Sequence, residues 1–478
     1  MQKTESTVQE TTRELLATTL EHAVAYLENL DTRPVAATAD LATLRQHLNK
    51  PLTENGIPAD EVISELVRDA DGGLLGSAGG RFFGWVIGGS VPAALAADWL
   101  TAAWDQNAAL YATSPAAAVA EEVAGNWLKQ ILSLPHQTSF ALVTGCQMAH
   151  VTCLAAARHA LLARQGWDVE EHGLYGAPAI RIISTAERHG SIERALHLLG
   201  MGRRHVMDLP ADAHARLQPE VLEQTLKNLP PSTPTIVLLQ AGDVNSGSCD
   251  PFEELIPLAR RHGAWVHVDC AFGLWAAASP RYQHLVKGVQ AADSWATDGH
   301  KWLNVPQDCG YAFVADPVSH RASLTHRAPY ITLHADARDE MDWNPEWSRR
   351  ARGFATYAAI RQLGRQGIAD LIERCCRHAH AIVMGIGKLP GAEVVWEPTL
   401  NQGLVRFLDP RPGATDKDHD HTTEEVIAAI LKSGEAFFGG TTWRGLRAMR
   451  VSVCSWQTSE DDVKRVVGAV AKVLPANP

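Results

Sequence analysis

The sequence predicts an α/β protein in which helices cover a mainly parallel sheet, with a smaller α+β domain at the C-terminal end and a helical segment at the N-terminal end. Two observations carry this prediction. Between about residues 140 and 315, short apolar runs of strand length alternate with helical patterns, which is the arrangement of βαβ units. From about residue 346 a long helical pattern precedes strand-like runs instead. We therefore expect three parts, which are residues 1–90, 91–345 and 346–478.

The first part begins with a predicted amphipathic helix in TTRELLATTLEHAVAYLENL. Its apolar residues lie at helical spacing on one face, and they are Leu15, Leu16, Leu20, Ala23, Val24 and Leu27. The glycine-rich stretch GGLLGSAGGRFFGWVIGGS follows. So much glycine indicates either a segment pressed against another part of the chain or a flexible loop.

Five apolar runs are the main predicted strands of the middle part, and they are FALVTG, AIRIIST, TPTIVLLQAG, AWVHVDCAFG and GYAFVAD. Between the third and the fourth, CDPFEELIPLARRHG predicts a helix with Asp250 as its N-cap, Pro251 in its first position and Gly263 after its last turn. In a sheet built from such units, ligands bind beyond the carboxyl ends of the strands.

The last part combines helical patterns with the strand-like runs AEVVWE, GLVRFL and RAMRVSVCSW and a final helix, SEDDVKRVVGAVAKVL. That combination is typical of an α+β domain. Within it, DPRPGATDKDHDHTTEE is interpreted as a linker. Its aspartates and histidines between residues 416 and 421 are metal-ligand types, but a solvated loop is the favoured interpretation.

Composition excludes several classes of partner. The formal net charge of the 478 residues is −11 and no long Lys/Arg run occurs, so we expect no nucleic-acid partner. We find no window with the roughly 18 uninterrupted apolar residues of a membrane helix, and the start MQKTESTVQETTRELL lacks the apolar core of a secretory signal. The eight cysteines form no CxxC pair. We expect reduced thiols in a cytoplasmic protein.

Two motifs follow predicted strands and open helices. In TGCQMAH, residues 144–150, a Thr-Gly-Cys turn at a helix start offers free N–H groups to a phosphate; an ordinary strand-to-helix turn is the alternative. In AERHGSIERA, His189 opens a helix. It is suited to stacking on a flat ring or to moving protons, and a surface or capping histidine is the alternative.

Two further motifs carry charged groups in apolar surroundings. In HVDCA, Asp269 ends an apolar strand, where a carboxylate needs a partner. A metal shared with His267 is one candidate partner and a protonated pyridine nitrogen is another. In WATDGHKWLN, Lys301 stands between His300 and Trp302. It is either a snorkelling surface residue or a buried amine for imine formation with a carbonyl.

Pyridoxal 5′-phosphate needs all four features together, namely a phosphate cradle, a ring-stacking histidine, a carboxylate for the ring nitrogen and an imine-forming lysine. The four motifs occur in this order on one predicted parallel sheet. We therefore predict this cofactor. A metal-dependent hydrolase that uses His267, Asp269 and His300 is the competing interpretation, and it leaves Lys301 without a role.

From about residue 80 to about residue 470 the chain resembles the group II pyridoxal-phosphate decarboxylases, which include the aromatic-L-amino-acid, histidine, glutamate and cysteine-sulfinate decarboxylases. The resemblance lies in RFFGWVIGG, ATSPAA, TGCQMAHVTCLAAARHALL, ERHGSIERAL, HVDCAFG, DSWATDGHKWLNVPQDCG and MRVSVCSWQT. It implies a fold type I enzyme with the cofactor in the part 91–345. It also implies a homodimer with its sites at the subunit interface, near SPAA (residues 114–117), and no metal.

The resemblance also implies roles for single residues. Lys301 would hold the cofactor covalently, Asp269 would keep the pyridine nitrogen protonated, Ala271 would lie under the ring and His189 would stack on its other face. Contacts to the phosphate would come from Gly145, Cys146 and His300. On the substrate side, Arg450 would hold the α-carboxylate, and the side-chain pocket would be lined by Trp85, Val86 and Ile87. Tyr330 or His189 would protonate the product.

Two departures from the family pattern add negative charge. Asp243 replaces a common threonine after the third strand, and Asp298 replaces an asparagine before the His-Lys pair. A third departure places Gly79 and Gly80 where the family often has His-Pro.

The expected reaction is decarboxylation of an L-amino acid to the amine and CO2. The apolar segment Trp85, Val86 and Ile87 favours an aromatic substrate such as tryptophan, tyrosine, phenylalanine or dihydroxyphenylalanine. Decarboxylation with oxidative deamination to an aldehyde, decarboxylation of an acidic amino acid such as glutamate, and transamination stay open. An inactive cofactor-binding paralogue is the non-enzyme alternative, and the intact Lys301 and Asp269 argue against it.

Overall fold

The large sheet has seven strands. In a computed structural model, the backbone is described for residues 2–326, 329, 334 and 336–475, and side chains from residue 11 onward within these ranges. The strands are β1 Ser139–Val143, β2 Arg181–Thr185, β3 Val206–Leu209, β4 Thr235–Gln240, β5 Trp265–Asp269, β6 Ser294–Asp298 and β7 Gly310–Val314. Their spatial order is β1-β7-β6-β5-β4-β2-β3. The predicted mainly parallel sheet is confirmed, with β7 as its antiparallel member.

The direction of the strands determines where the site lies. Because β7 runs antiparallel to both β1 and β6, β1 runs parallel to β6. The carboxyl ends of β1, β4, β5 and β6 therefore share one edge of the sheet. The four strands β4, β5, β6 and β7 are buried at every position, which explains their nearly continuous apolar sequences between two layers of helices.

Fourteen α-helices occur in the described part of the chain. Those in the first half are α1 Gln2–Glu28, α2 Leu41–Leu48, α3 Ala59–Ala70, α4 Pro92–Trp104, α5 Pro115–Ile131, α6 Cys146–Ala163 and α7 Val169–His172. Those in the second half are α8 Gly190–Leu198, α9 Pro219–Lys227, α10 Phe252–Arg261, α11 Pro317–Ala322, α12 Gly353–Gly387, α13 Asp416–Ser433 and α14 Glu460–Val473. The helix α6 is buried along most of its length because small residues such as Ala156 and Ala157 let it pack closely on the sheet.

The C-terminal part has a second, antiparallel sheet of four strands in the order β10-β11-β9-β8. These strands are β8 Ala392–Trp396, β9 Gln402–Phe407, β10 Gly439–Trp443 and β11 Leu446–Ser452. Together with α12, α13 and α14 they form the predicted α+β arrangement. The divisions after residues 90 and 345 stay predictions.

Two local predictions were wrong. The interpreted linker contains the start of α13, because Thr415 and Asp418 form a reciprocal capping box at its N-terminus. Asp250 does not cap α10, whose N-cap is Pro251. The buried carboxylate of Asp250 instead accepts hydrogen bonds from the backbone N–H groups of Leu217 and Gln240, both at 2.7 Å.

The predicted helix at the N-terminal end is present as α1, but this chain leaves much of its apolar face uncovered. Leu16 is 61% exposed and Leu20 is 47% exposed. In the described part of the chain, no helix combines the length and apolarity that crossing a membrane requires.

Candidate active site

A cavity of 520 Å³ opens at the edge of the sheet where β1, β5 and β6 end. Its lining includes Gly145, His189, Asp269 and Lys301, so the structure brings together residues from all four sequence motifs. Gly310 of β7 makes this approach possible. A Cβ atom at that position would lie 2.5 Å from the Cα atom of Gly145, so only glycine lets the turn after β1 lie beside β6.

Lys301 lies in a single π-helical turn, Gly299–Leu303, directly after β6. Its Nζ atom is 2.9 Å from Oδ2 of Asp298, and its side chain is 21% exposed. Burial alone would lower the pKa of Lys301, but the Asp298 carboxylate outweighs burial and raises the pKa above its usual value. The Asp298 carboxylate therefore favours the ammonium form of Lys301 in this arrangement, and the role of Lys301 in imine formation stays a prediction.

Asp298 also reaches the start of α6. Its Oδ1 atom accepts a hydrogen bond from the backbone N–H of Cys146 at 2.6 Å and lies 3.7 Å from Nε2 of His300. A carboxylate thus lies on the positive end of the helix, where the sequence predicted a phosphate cradle.

The predicted phosphate contacts lie around this carboxylate. Gly145 leaves the N-terminus of α6 open, since a Cβ atom there would lie 3.2 Å from Cε1 of His300. The backbone N–H of Cys309 donates to Nδ1 of His300 at 3.1 Å, so the ring proton of a neutral His300 is on Nε2 and faces the cradle. Burial lowers the pKa of His300, against the opposing effect of Asp298, which favours this neutral form.

Asp269 ends β5 and its carboxylate reaches the cavity wall. Its Oδ1 atom accepts from the backbone N–H of Ala271 at 3.2 Å, and its Oδ2 atom lies 3.6 Å from Nε2 of His150. Burial would raise the pKa of Asp269, but His150 and the nearby cations outweigh burial and hold the pKa well below its usual range. The carboxylate is therefore ionised, as a partner for a ring nitrogen must be.

His189 and Ala271 also line the cavity. His189 is the N-cap of α8, where its Nδ1 atom accepts from the backbone N–H of Ser191 at 3.2 Å. Its ring is exposed in this chain, and partial loss of water around it lowers its pKa.

The predicted substrate residues lie in different positions. Val86 is buried and lines the cavity, whereas Trp85 is 55% exposed and packs on Phe437 with ring centres 5.1 Å apart. Ile87 is half-buried and lies outside the described lining. Arg450 also lies outside that lining. It donates to the carbonyl oxygens of Val244 at 3.2 Å and of Trp85 at 3.1 Å, so it contacts the backbone of Val244, which lines the cavity.

Asp243 lies between Arg450 and the end of β4. Its Oδ1 atom accepts from the backbone N–H groups of Asn245 and Ser246, while its buried Oδ2 atom has no hydrogen-bond partner in the described part of the chain. Burial raises the pKa of Asp243 and lowers that of Arg450, which the Asp243 charge partly offsets.

Two further sequence predictions concern Tyr330 and a metal. Tyr330 lies outside the described residues. The metal interpretation does not match the geometry, because His267 is fully buried and hydrogen-bonded to His150 and Ser294 rather than grouped with His300. Within the described ranges, the group with ligand atoms within 4.8 Å of one another is Cys146, His150 and Asp269.

The family model for the pyridoxal-dependent decarboxylase conserved domain matches residues 43–408. The chain belongs to this family. The sequence resemblance is therefore confirmed, and with it the cofactor, pyridoxal 5′-phosphate.

Relatives of this decarboxylase align along nearly its whole length. The aromatic-L-amino-acid decarboxylase of Bacillus atrophaeus is 24% identical over 450 residues, which cover 93% of this chain and 91% of that protein. Tryptophan decarboxylase 1 of Oryza sativa subsp. japonica is 27% identical over 467 residues, which cover 92% and 89%. A solved structure of the Oryza sativa TDC with PLP and tryptamine has the same fold, with a TM-score of 0.90, 24% identity and 97% coverage of both chains.

The cavity of this decarboxylase fits the cofactor in most respects. It offers an amine, an ionised carboxylate, an open helix N-terminus and a flanking imidazole. It also contains a buried amide nitrogen, Nε2 of Gln147, that has no hydrogen-bond partner in the described part of the chain. Asp298 is the exception, because its carboxylate opposes a phosphate at the same helix end.

Sequence reasoning missed several lining or supporting residues, and they are His150, Gln147, Val244, Phe272 and Arg194. His150 and Gln147 both lie in the quoted motif TGCQMAH. The spacing of Cys146 and His150, four residues apart on a helix, was the signal that places both on one face. Val244 and Phe272 carried no such signal, because loops after strands bring them to the cavity.

Proposed function

We propose that the protein decarboxylates an aromatic L-amino acid at this cavity. The observation that carries the proposal is the chemistry of the wall, in which Lys301 and Asp269 face the same space as the apolar side chains of Val86, Val244 and Phe272. An aromatic side chain suits such a wall. The two relatives described above are named for aromatic substrates and support this choice.

The bound cofactor supplies a ring that accepts the electrons released when the α-carboxylate leaves as CO2. In the proposed roles, Asp269 holds a proton on the ring nitrogen through its ionised carboxylate. Lys301 would hold the cofactor covalently through its Nζ atom. Gly145, Cys146 and His300 bind the phosphate with the N–H groups at the start of α6 and the Nε2–H of His300.

Protonation of the product is assigned to His189 or to Tyr330. Since Nδ1 of His189 accepts from Ser191, Nε2 is the atom that would carry and move the proton. Arg450 would bind the substrate carboxylate after leaving the carbonyl oxygens that it now contacts, and Trp85, Val86 and Ile87 would enclose the side chain. Ala271 would support the ring from below.

A product assay on the holoenzyme tests this proposal. Purified protein with added pyridoxal phosphate is incubated with tryptophan, tyrosine, phenylalanine, dihydroxyphenylalanine and glutamate, and amine, aldehyde, keto acid and CO2 are measured by mass spectrometry. We expect amine and CO2 in equal amounts from an aromatic amino acid. Aldehyde with ammonia would indicate oxidative deamination, and a keto acid without CO2 would indicate transamination.

One observation favours an acidic substrate as the second candidate. Arg194 of α8 lines the cavity and is exposed, so its guanidinium offers a positive charge to a second carboxylate. Arg194→Gln should leave the rate with an aromatic substrate within about twofold. A large loss of glutamate decarboxylation in this variant, together with weak turnover of aromatic amino acids by the wild type, would establish the second candidate instead.

We further propose that the enzyme is a homodimer in which the apolar face of α1 packs on the second subunit. Leu27 of this face lines a cavity together with Val67 of α3 and Trp99 of α4, and all three side chains are exposed. A contiguous apolar surface of this kind usually marks an interface. The residue pattern around SPAA supports sites at the subunit boundary. All eight cysteines are free, which supports a cytoplasmic location.

A further inference from the structure

A row of buried polar side chains lies behind Asp269, on the side away from the cavity. Nε2 of His150 is 3.6 Å from Oδ2 of Asp269, and Nδ1 of His150 is 2.9 Å from Nε2 of His267. Nδ1 of His267 is in turn 2.9 Å from Oγ of Ser294, which accepts from the indole N–H of Trp265 at 2.9 Å.

This row lies between α6 and the sheet, and water does not reach it. His150, His267 and Ser294 are completely buried, and Trp265 is 2% exposed. Polar groups in such a place destabilise the fold unless each is hydrogen-bonded. Each polar group in the row has a partner in the next one. The row ends at the Asp269 carboxylate, which faces the cavity.

The hydrogen-bond chemistry determines which atom faces Asp269. Burial lowers the pKa of His267 to about 3, so this ring is neutral. Either His267 donates to Nδ1 of a neutral His150, or a protonated His150 donates to His267. In both cases Nε2 of His150 carries a hydrogen, which faces Oδ2 of Asp269 at 3.6 Å and Sγ of Cys146 at 3.4 Å, because the bare nitrogen would otherwise direct its lone pair at a carboxylate.

We infer that His150 is a positioning residue for the cofactor: its Nε2–H keeps the Asp269 carboxylate ionised and oriented towards the ring nitrogen, and His267 and Ser294 hold the His150 ring in place. The inference rests on the proposed role of Asp269. Without His150, the described partners of the carboxylate are the Ala271 N–H at 3.2 Å and the Cys146 thiol at 4.0 Å. Such a carboxylate takes up a proton more readily and no longer stabilises a protonated ring nitrogen.

The test compares two ligands that differ at a single atom. One is pyridoxal phosphate, and the other is its 1-deaza analogue, in which a C–H group replaces the ring nitrogen. Dissociation constants for the purified apoprotein are measured by quenching of tryptophan fluorescence, so that the readout does not depend on activity. His150→Leu should weaken binding of pyridoxal phosphate about tenfold, in line with the loss of a hydrogen bond to a charged group, and change binding of the analogue less than twofold.

Variants separate this role from a purely structural one. His150→Gln keeps an N–H donor near the position of Nε2 and should restore most of the preference for pyridoxal phosphate, and Ser294→Ala should give an intermediate loss. His320→Leu is the matched control, since His320 is another fully buried histidine, hydrogen-bonded to Ser139 and Trp343. It should leave the preference unchanged.

The other outcomes are equally informative. Equal weakening of both ligands in His150→Leu, or no weakening of either, would overturn the inference. If His150→Leu fails to fold, Ser294→Ala and His150→Gln decide the question through the same ratio. Asp269→Asn distinguishes this inference from the proposed function: a preference for pyridoxal phosphate that survives this change would contradict the role of Asp269 itself.

Discussion

At the scale of single residues, the most unusual feature is the carboxylate of Asp298. It binds the Cys146 N–H at 2.6 Å and the Lys301 amine at 2.9 Å, so it contacts both the predicted phosphate site and the predicted covalent site. A phosphate that binds at the start of α6 meets a negative charge there. The cofactor must therefore displace Asp298 or bind beside it against repulsion.

Asp298→Asn is expected to bind pyridoxal phosphate about tenfold more tightly, because it removes the repulsive charge and keeps a hydrogen-bonding side chain. Equilibrium dialysis of the apoprotein measures this affinity. Asp461→Asn is the control for net charge, since that side chain is 91% exposed on α14, and its affinity should equal that of the wild type. Weaker binding in Asp298→Asn would mean that the carboxylate helps to hold the cofactor.

The sequence predicted most of the site residues but not their pairing. Asp269, Lys301, Gly145 and His300 come together because each follows a strand of one sheet, and strand ends are readable from apolar runs. The contact between Asp298 and Lys301 depends on the π-helical turn after β6, and no residue pattern in the sequence predicts that turn. Arg450 was assigned by resemblance alone, and its side chain now contacts backbone carbonyls rather than the cavity.

At the scale of elements, the junction between β4 and α10 shows why a capping pattern can mislead. The order Asp-Pro-Phe-Glu favours an N-cap at Asp250. In the structure, the same carboxylate accepts hydrogen bonds from the backbone N–H groups of both Leu217 and Gln240. A contact with Leu217, far away in the sequence, competes with the local cap, and local patterns contain no information about it.

The pH dependence of the melting temperature should reflect the protonation of the buried Asp250 carboxyl group. Burial raises the pKa of Asp250 from 3.8 to about 7, although two N–H groups donate to it. The protonated form therefore stabilises the fold at low pH, and this contribution is lost as the pH rises through about 7. The melting temperature of the wild type minus that of Asp250→Asn should fall between about pH 4 and about pH 7 and level off above that range, as measured by calorimetry. A difference that stays constant with pH would contradict the assignment.

The helix α12 contains a kink at Gly364, where φ is 61° and ψ is −177°. Side chains other than that of glycine are strained in this conformation, although nothing lies within 4 Å of the added Cβ position. Gly364→Ala should therefore cost about 1–3 kcal/mol of stability.

Gly367→Ala is the matched control in the same helix. Its Cβ atom would make an ordinary contact with Leu363 at 3.4 Å, and alanine favours the helix by about 1 kcal/mol. Urea denaturation followed by circular dichroism should show opposite shifts of the midpoint for the two variants. The same direction of shift in both would mean that the kink at Gly364 does not strain an alanine.

The remaining elements that sequence reasoning missed have weak local signals. The strand β3 has four residues and β10 begins with two glycines, so neither has the alternating apolar pattern of a typical strand. The start of α13 has the acidic composition of a linker. In the structure, however, Asp416 and Asp420 pair with Arg406 of the neighbouring strand. That tertiary pairing stabilises a polar helical turn that the sequence pattern does not favour.

At the scale of the whole molecule, the apolar face of α1 is exposed in this chain at Leu16, Leu20, Val24 and Leu27. Leu20→Glu places a charge in the middle of that face and should convert the proposed dimer into a monomer. Light scattering coupled to size-exclusion chromatography measures the mass directly. Thr18→Glu, on the opposite side of the same helix, is the control and should leave the dimer intact. A wild-type protein that elutes as a monomer would contradict the proposed assembly.

The central claim is that this chain holds pyridoxal phosphate covalently on Lys301, in the cavity that Asp269 closes on the other side. The most direct test is reduction of the holoenzyme with borohydride, followed by proteolysis and mass spectrometry. We predict one pyridoxyl group, on the peptide that contains Lys301, and none in Lys301→Ala. A label on a different lysine, or a bound cofactor that reduction never attaches to the chain, would contradict the account.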